Sequence, residues 1–558
     1  MPATDASSID DLRSGPADVV LVGARVLTPD GRPADALAVR GGRIAFVGAE
    51  AGARALAGTA TRLVRLQGGL LVPGFQDAHC HPPTGGLAMA QADLHDADDE
   101  GAYLAVITRW AAEHPDATWV VGDGWFMGAF PGGNPSRAAL DAVVPDRPVY
   151  AESRDGHSAW VNSRALALAG ITAATPDPAD GVIVRDEHGE PWGTLHEGAN
   201  GLVSRLIPPP TADEWVEAIL RAQAHLHSLG ITAWQDAIVR DDTGPVYRRM
   251  AEEGILTARV VGALWWERDR GDEQVAEMVD RRAAYTHGRF RATSVKLMQD
   301  GIPENFTAGM LDPYLDPQGR PGERRGLSFI DPEALARYAS MLDAAGFQCH
   351  FHAIGDRAVR EALDALEAAL RANGRSDLRH HVSHIEVIHP DDVPRFAALG
   401  VVANAQPYWA CFDGQMETLV TPFLGPERSA WQYPFRSLLR SGARMAMGSD
   451  WAVTTPNPLL EMEVAVTRVL PETRDREPFY PQERIELGEA LAAFTLGSAY
   501  VNHLDGETGT VEEGKLADLA VLDRDPFAPG AGPVGDARVV LTLVDGEPVH
   551  ADPAAVSW

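Results

Sequence analysis

Short apolar stretches cut by Gly, Pro and Asp open the chain. Val19–Leu27 and Leu37–Val47 flank the turn signal Pro29-Asp30-Gly31-Arg32, a pattern that predicts hairpins of a small sheet. The far end repeats it: the segment from Gly509 to Leu522, then Val539–Val544 and Glu547–His550, are brief apolar strands separated by Gly and Asp. Two β-rich ends predict one small β-sandwich assembled from residues 17–68 and 504–558, behind a polar tail over 1–16. Between them, β-type segments alternate with helical periodicity, the mark of parallel βα units. Eight such segments can be counted: Gly69–Phe75, Thr232–Gln235, Ala258–Leu264, Thr293–Met298, Gln348–Phe351, His381–Ile385, Val401–Ala405 and Arg444–Met447. Helical stretches such as Ala212–Leu229, Pro332–Ala345, Arg357–Ala372 and Pro390–Leu399 fit between them, with Asp356 read as an N-cap. The arithmetic is that of an α/β fold, a (β/α)8 TIM barrel over 69–503. A Gly- and Pro-rich insertion at about 82–210 follows the first strand. It carries strand-like pieces of its own, Thr118–Val121 and Pro148–Ala151, and is expected to cover the barrel mouth.

Composition narrows the function classes. With 48 Lys+Arg against 79 Asp+Glu, the 558 residues carry a net charge of −31, which argues against nucleic acid or anionic lipid as a partner. Cys80, Cys349 and Cys411 lie too far apart for a CxxC pair. The first residues lack a basic segment leading into an apolar one, and no run of eighteen apolar residues occurs, so a soluble, cytoplasmic protein is expected. Gly122-Asp-Gly124 lacks the spacing of a nucleotide-binding loop.

The sharpest local feature is Gly74-Phe-Gln-Asp-Ala-His79-Cys-His81. Side chains at i and i+2 of a strand share a face, so two imidazoles there can hold one metal ion. Lys296, His350, His352, His384 and Asp450 stand at or near the ends of other predicted strands, where barrel enzymes gather their chemistry. Aromatic residues near the predicted mouth, including Trp125, Trp160, Trp265, Tyr408 and Trp409, suggest a pocket for an apolar substrate arm.

Taken together, Phe75–His81, Val295-Lys296 running into Asp300-Gly301, His352-Ala-Ile-Gly-Asp356, His384 followed by His389-Pro390, and Gly448-Ser-Asp450 resemble the metal-dependent amidohydrolase superfamily. More narrowly, they resemble its YtcJ-like, amidohydrolase-3 branch, which includes N-substituted formamide deformylases. Arg154-Asp-Gly-His157-Ser-Ala-Trp160-Val-Asn162 and Gly509–Asp525 are similar to further stretches of that branch. The resemblance implies one or two divalent ions, with Zn2+ the expected metal. His79, His81, Lys296 as a bridging carbamate, His352, His384 and Asp450 would be the ligands. The Ala-Ile-Gly-Asp stretch after His352 favours it over His350, which is then a supporting or core residue; His380 and His381 are read as solvated or packed. An ammonium cannot ligate, which is why a carbamate is invoked; an unmodified Lys296 paired with Asp300 is the alternative. Asp450 would also handle the proton, and His157 is assigned either to oxyanion stabilisation or to a structural hydrogen bond. The pocket set is Trp125, Trp160, Asp300, Tyr408 and Trp409, and a homodimer is admitted. The function implied is hydrolysis of a non-peptide C–N bond in a linear amide or N-substituted formamide. Alternatives are a cyclic amide or ester on the same site, or a silent binding protein on this scaffold.

Overall fold

The computed structural model describes residues 12–557, so residues 1–11 of the predicted polar tail lie outside the described residues. Eight parallel strands form one sheet in chain order: β1 (Phe75–Cys80), β2 (Ile231–Val239), β3 (Arg259–Trp265), β4 (Phe290–Met298), β5 (Gln348–Ala353), β6 (His381–His384), β7 (Val402–Ala405) and β8 (Met445–Met447). The expected barrel is present. Among the described residues no ladder joins β8 to β1. Instead the buried Asp77 carboxylate accepts hydrogen bonds from the Ser449 N–H at 3.1 Å and Oγ at 2.6 Å, and the Asp450 N–H donates to the His79 carbonyl at 2.7 Å. A Cβ on Gly448 would lie 2.4 Å from the His79 nitrogen, so this seam closes only on glycine.

One expected strand moves. Within the apolar run Gly69–Phe75, Leu70–Pro73 pairs antiparallel with Leu519–Leu522 and belongs to the terminal domain. The first barrel strand is the polar stretch after it, Phe75–Cys80, every residue of which is buried. Hydrophobicity pointed to the wrong neighbour because this barrel's interior near the mouth is itself polar. Asp356 is likewise not an N-cap: it is the first residue of the helix Asp356–Asn373, with Gly355 in the capping position. Its carboxylate accepts instead from the Leu311 N–H at 2.8 Å, which pins the loop after β4.

The terminal domain stacks two five-stranded sheets. One contains Ala17–Val22, Ala36–Arg40, Arg43–Gly48, Ala57–Leu66 and Val556–Ser557; the other contains Arg25–Val26, Leu70–Pro73, Leu519–Leu522, Val539–Val544 and Glu547–Ala551. Val19, Leu21 and Val39 of the first pack against Leu71, Val521 and Leu541 of the second. At the junction with the barrel, Arg259 at the start of β3 pairs with Asp518 at 2.7 Å and also with Asp545.

The insertion is more ordered than its Gly and Pro content predicts. It contains a six-stranded sheet of Gly181–Arg185, Pro191–Glu197, Ser158–Val161, Val149–Ser153, Val120–Trp125 and Ala92–Asp93, in that spatial order. The turn Arg154-Asp155-Gly156-His157 links two of these strands. Asp155 accepts from Ser153 Oγ and from the His157 N–H, and Gly156 takes a φ of 73°. The helix that resumes the barrel, Ala212–Ser228, starts at a capping box made by Thr211 and Glu214. Among the described residues, no helix is long and apolar enough to cross a membrane.

Candidate metal centre

His79 is buried inside the barrel near the end of β1, and His81 follows directly after the strand at the lip. His79 Nε2 lies 3.1 Å from Asp450 Oδ1 and 3.2 Å from Lys296 Nζ, while His81 Nε2 lies 2.9 Å from the same Asp450 oxygen. From β6, His384 brings Nδ1 to 3.9 Å from Asp450 Oδ2, and the His352 ring sits 4.5 Å from that of His384. All six expected ligand positions therefore surround one rim. His384 and Asp450 adopt left-handed backbones, with φ of 76° and 58°. Such conformations cost on the order of 1–3 kcal/mol each unless the surroundings impose them. Here Gln406 Oε1 accepts the His384 N–H at 2.8 Å, and the His79 carbonyl accepts that of Asp450.

A second layer orients the first. His79 Nδ1 contacts His350 Nε2 at 2.7 Å and Ser383 Oγ at 2.9 Å, and the His350 ring rests 4.0 Å from that of His381. His350 is thus a supporting residue and His381 a packed one, while His380 turns outward to Asp343 at 3.0 Å. Asp300 is neither a pocket residue nor the partner of Lys296. Its carboxylate is sealed in the core, accepts from the backbone N–H groups of Gly309, Ile354 and Gly355, and stands 3.3 Å from His352 Nδ1, out of line for a hydrogen bond. It fixes the loop behind His352.

The donor set fits a divalent cation. Atoms of His79, His384 and Asp450 come within 4.8 Å of one another, and His384 Nδ1 is buried without a hydrogen-bond partner. Imidazole nitrogens with one carboxylate suit zinc and similar borderline metals. Burial lowers the Lys296 amine to about 7 even though Asp450 opposes the shift.

Across the rim stands His157. Its Nδ1 is 3.0 Å from both carboxylate oxygens of Glu197, which also accepts from Thr307 Oγ1 at 2.6 Å and Asn305 Nδ2 at 3.1 Å. Burial disfavours both charges, but their pairing prevails: Glu197 raises His157 to about 9, and His157 with the two neutral donors holds Glu197 down to about 2. The His157 ring lies 5.6 Å from that of His352. Glu197 is absent from the sequence-level candidates because no local pattern marks it; Thr307, which holds it, is 110 positions away.

Two chambers meet here. One of about 520 Å3 is lined by His79, His81, His157, Lys296, His352 and Asp450. The other, of about 810 Å3, lies beyond Trp409 and is walled by Phe126, Tyr408, Tyr433 and Trp451. Trp409 lines both and stacks on His384 with ring centroids 5.4 Å apart and planes 6° apart. Tyr408 and Trp409 are thus cavity residues, whereas Trp125 and Trp160 are not. Their indoles are sealed within the insertion, donating to the carbonyls of Ala151 and Ser136.

Comparison with known proteins agrees with this architecture. The profile of the amidohydrolase family matches residues 62–550. The Arabidopsis thaliana protein LONG AFTER FAR-RED 3 is 31% identical over 553 residues, spanning 96% of this chain and 92% of its own length. N-substituted formamide deformylase of Arthrobacter pascens is 30% identical over 544 residues, spanning 95% and 97%. The crystal structure of an uncharacterized metal-dependent hydrolase from Pyrococcus furiosus superposes with a TM-score of 0.70 at 25% identity, covering 91% of this chain and 100% of that one. With its barrel, its rim of histidines and this match over nearly its whole length, the chain belongs to the amidohydrolase family.

Proposed function

We propose that the protein is a metal-dependent hydrolase of a non-peptide C–N bond, acting on a linear amide or N-substituted formamide. The observation that carries the reading is the convergence of His79, His384 and Asp450 on one point inside a cavity that faces the His157–Glu197 pair. Identity of 30% with an N-substituted formamide deformylase over nearly the full chain supports the substrate class. His79, His81, His352, His384 and Asp450 would hold Zn2+, and Lys296 would join them as a carbamate. Its buried amine is readily unprotonated, the form that adds carbon dioxide with release of one proton. A cation in such a site lowers the pKa of water to about 7 and polarises a carbonyl oxygen.

The remaining steps belong to the chain. Burial would raise the Asp450 carboxyl, but the hydrogen bond it accepts from His81 Nε2 and the neighbouring imidazoles hold it below the usual range. It is therefore ionised at neutral pH, able to take a proton from water and return it to the departing nitrogen. His157 spends Nδ1 on Glu197, which leaves its Nε2–H to donate to the oxyanion formed from the carbonyl. Trp409 supplies an apolar wall beside the ligand His384.

Elemental analysis of the purified protein, joined to hydrolysis of formamide, acetamide, N-butylformamide and N-benzylformamide with and without a chelator, tests the reading. Bound zinc, chelator-sensitive turnover and faster cleavage of the N-substituted amides are expected. Metal-free protein with chelator-insensitive activity overturns the mechanism, and equal rates across the panel overturn the apolar arm.

A further inference from the structure

The two chambers that share Trp409 differ in charge as much as in shape. In the smaller one, carboxylates such as Asp123, Glu152 and Glu267 are interleaved with Arg154, Arg240, Arg268 and Lys296. In the larger one, eight Asp and Glu side chains line the walls against Arg154 as the only arginine or lysine among the described residues. That arginine is already engaged: it donates to the His95 carbonyl at 2.7 Å and lies over the Phe126 ring. The deep acids receive neutral donors. Glu304 Oε1 accepts from Gln415 Nε2 at 2.8 Å, Glu386 Oε1 from Gln432 Nε2 at 2.9 Å, and Asp413 from the Met416 N–H at 2.7 Å. Glu386 is only 2% exposed, yet it lines the chamber two residues beyond His384. Burial raises the Glu304 carboxyl to about 7, and a positive guest beside it would return it to the ionised form. Around them stand Phe126, Tyr408, Trp409, Tyr433 and Trp451, which give the chamber an aromatic lining suited to an apolar body.

We infer that the larger chamber receives the nitrogen-side arm of the substrate, and that this arm is an arylalkyl chain ending in an ammonium group bound by Glu304 and Glu386. The inference builds on the amide-hydrolase reading: the amide sits on the metal side of Trp409, and the basic end reaches past it. The preferred substrates are accordingly mono-N-acyl or mono-N-formyl diamines rather than neutral N-alkyl amides.

Two probes test this without turnover, because a sulfonamide replaces the amide: N-[3-(aminomethyl)benzyl]methanesulfonamide, which carries the ammonium, and its 3-(hydroxymethyl) counterpart, which is neutral. Isothermal titration of the purified wild-type protein is expected to show the ammonium probe binding tighter by about tenfold or more. Glu304→Gln and Glu386→Gln are each expected to reduce that ratio to roughly threefold or less. Equal affinity of the two probes for the wild type overturns the inference, and needs no variant to fold. A preference that survives both substitutions overturns it as well, since the cation then binds elsewhere. Because neither probe is cleaved, failure of amide hydrolysis would defeat the functional reading while leaving this ratio to be measured.

Discussion

Leu541 in the terminal sandwich and His79 on the barrel rim are both completely shielded from solvent, and their surroundings follow opposite rules. Leu541 lies among Val, Leu and Ala side chains from two sheets, where each buried methylene contributes stability of about 0.8 kcal/mol. His79 lies among His350, His384, Lys296 and Asp450, each of which left water at a cost. One region holds the molecule together, and the other is held together by it. The rim's donors converge only because strand ends, the strained backbones of His384 and Asp450, and a second layer of His350, Ser383 and Gln406 oblige them to.

This contrast can be broken at several points. The largest effect is expected on the rim: Asp450→Asn should lower kcat by about 10²–10⁴ with little change in melting temperature, because in the proposed mechanism this group moves a proton, and it packs no core. Near-wild-type turnover would remove Asp450 from its proposed role. At the border of the two regions, Arg259→Met leaves Asp518, whose side chain is only 1% exposed, without its cation. A loss of about 3–5 kcal/mol in denaturant unfolding is expected. Within the sandwich, Leu541→Ala should cost about 2–5 kcal/mol while the kcat of the folded fraction stays at the wild-type value. A proportionate fall in kcat would mean that the sandwich shapes the site directly.

The smallest effect concerns acid. His227 is buried at the same border, held by the Ile231 carbonyl and Thr257 Oγ1, and burial lowers its pKa from the usual 6.5 to about 4. The unfolded chain then binds a proton between pH 6.5 and 4 that the folded chain refuses, so this residue's contribution is intact above pH 6.5 and is lost as pH falls through that window. Between pH 7 and pH 5, His227→Gln should lose less stability than the wild type by on the order of 1–2 kcal/mol. Parallel melting curves for the two proteins over this range would refute the assignment.

Legibility in the sequence followed the same division. The alternation of strand and helix was enough to find the barrel, and His79, His81, Lys296, His352, His384 and Asp450 could be picked out because each sits at a strand end within a recognisable local motif. Sequence pattern and structure diverge where burial and hydrophobicity part company. Phe75–Cys80 is a fully buried strand carrying Gln, Asp and His, so hydrophobic patterning favours the more apolar run Gly69–Phe75, most of which lies in the neighbouring strand Leu70–Pro73. The sequence equally allows Trp125 and Trp160 as pocket walls, but an aromatic ring is satisfied as well by the insertion's own core, and nothing local distinguishes the two fates. Asp300 stands beside a functional motif yet spends its carboxylate on three backbone N–H groups.

By itself, the order of residues determined the periodicities, the chain-terminal strands that find each other, and the chemical types available at each strand end, since these depend on neighbours within a few positions. Only the tertiary structure decided that Glu197 meets His157, that Asp77 closes the barrel on Ser449, and that Glu304 and Glu386 face one chamber behind Trp409. Those pairings join positions far apart in sequence. Their energies come from desolvation and charge at close range, quantities that do not exist until the chain has folded around them.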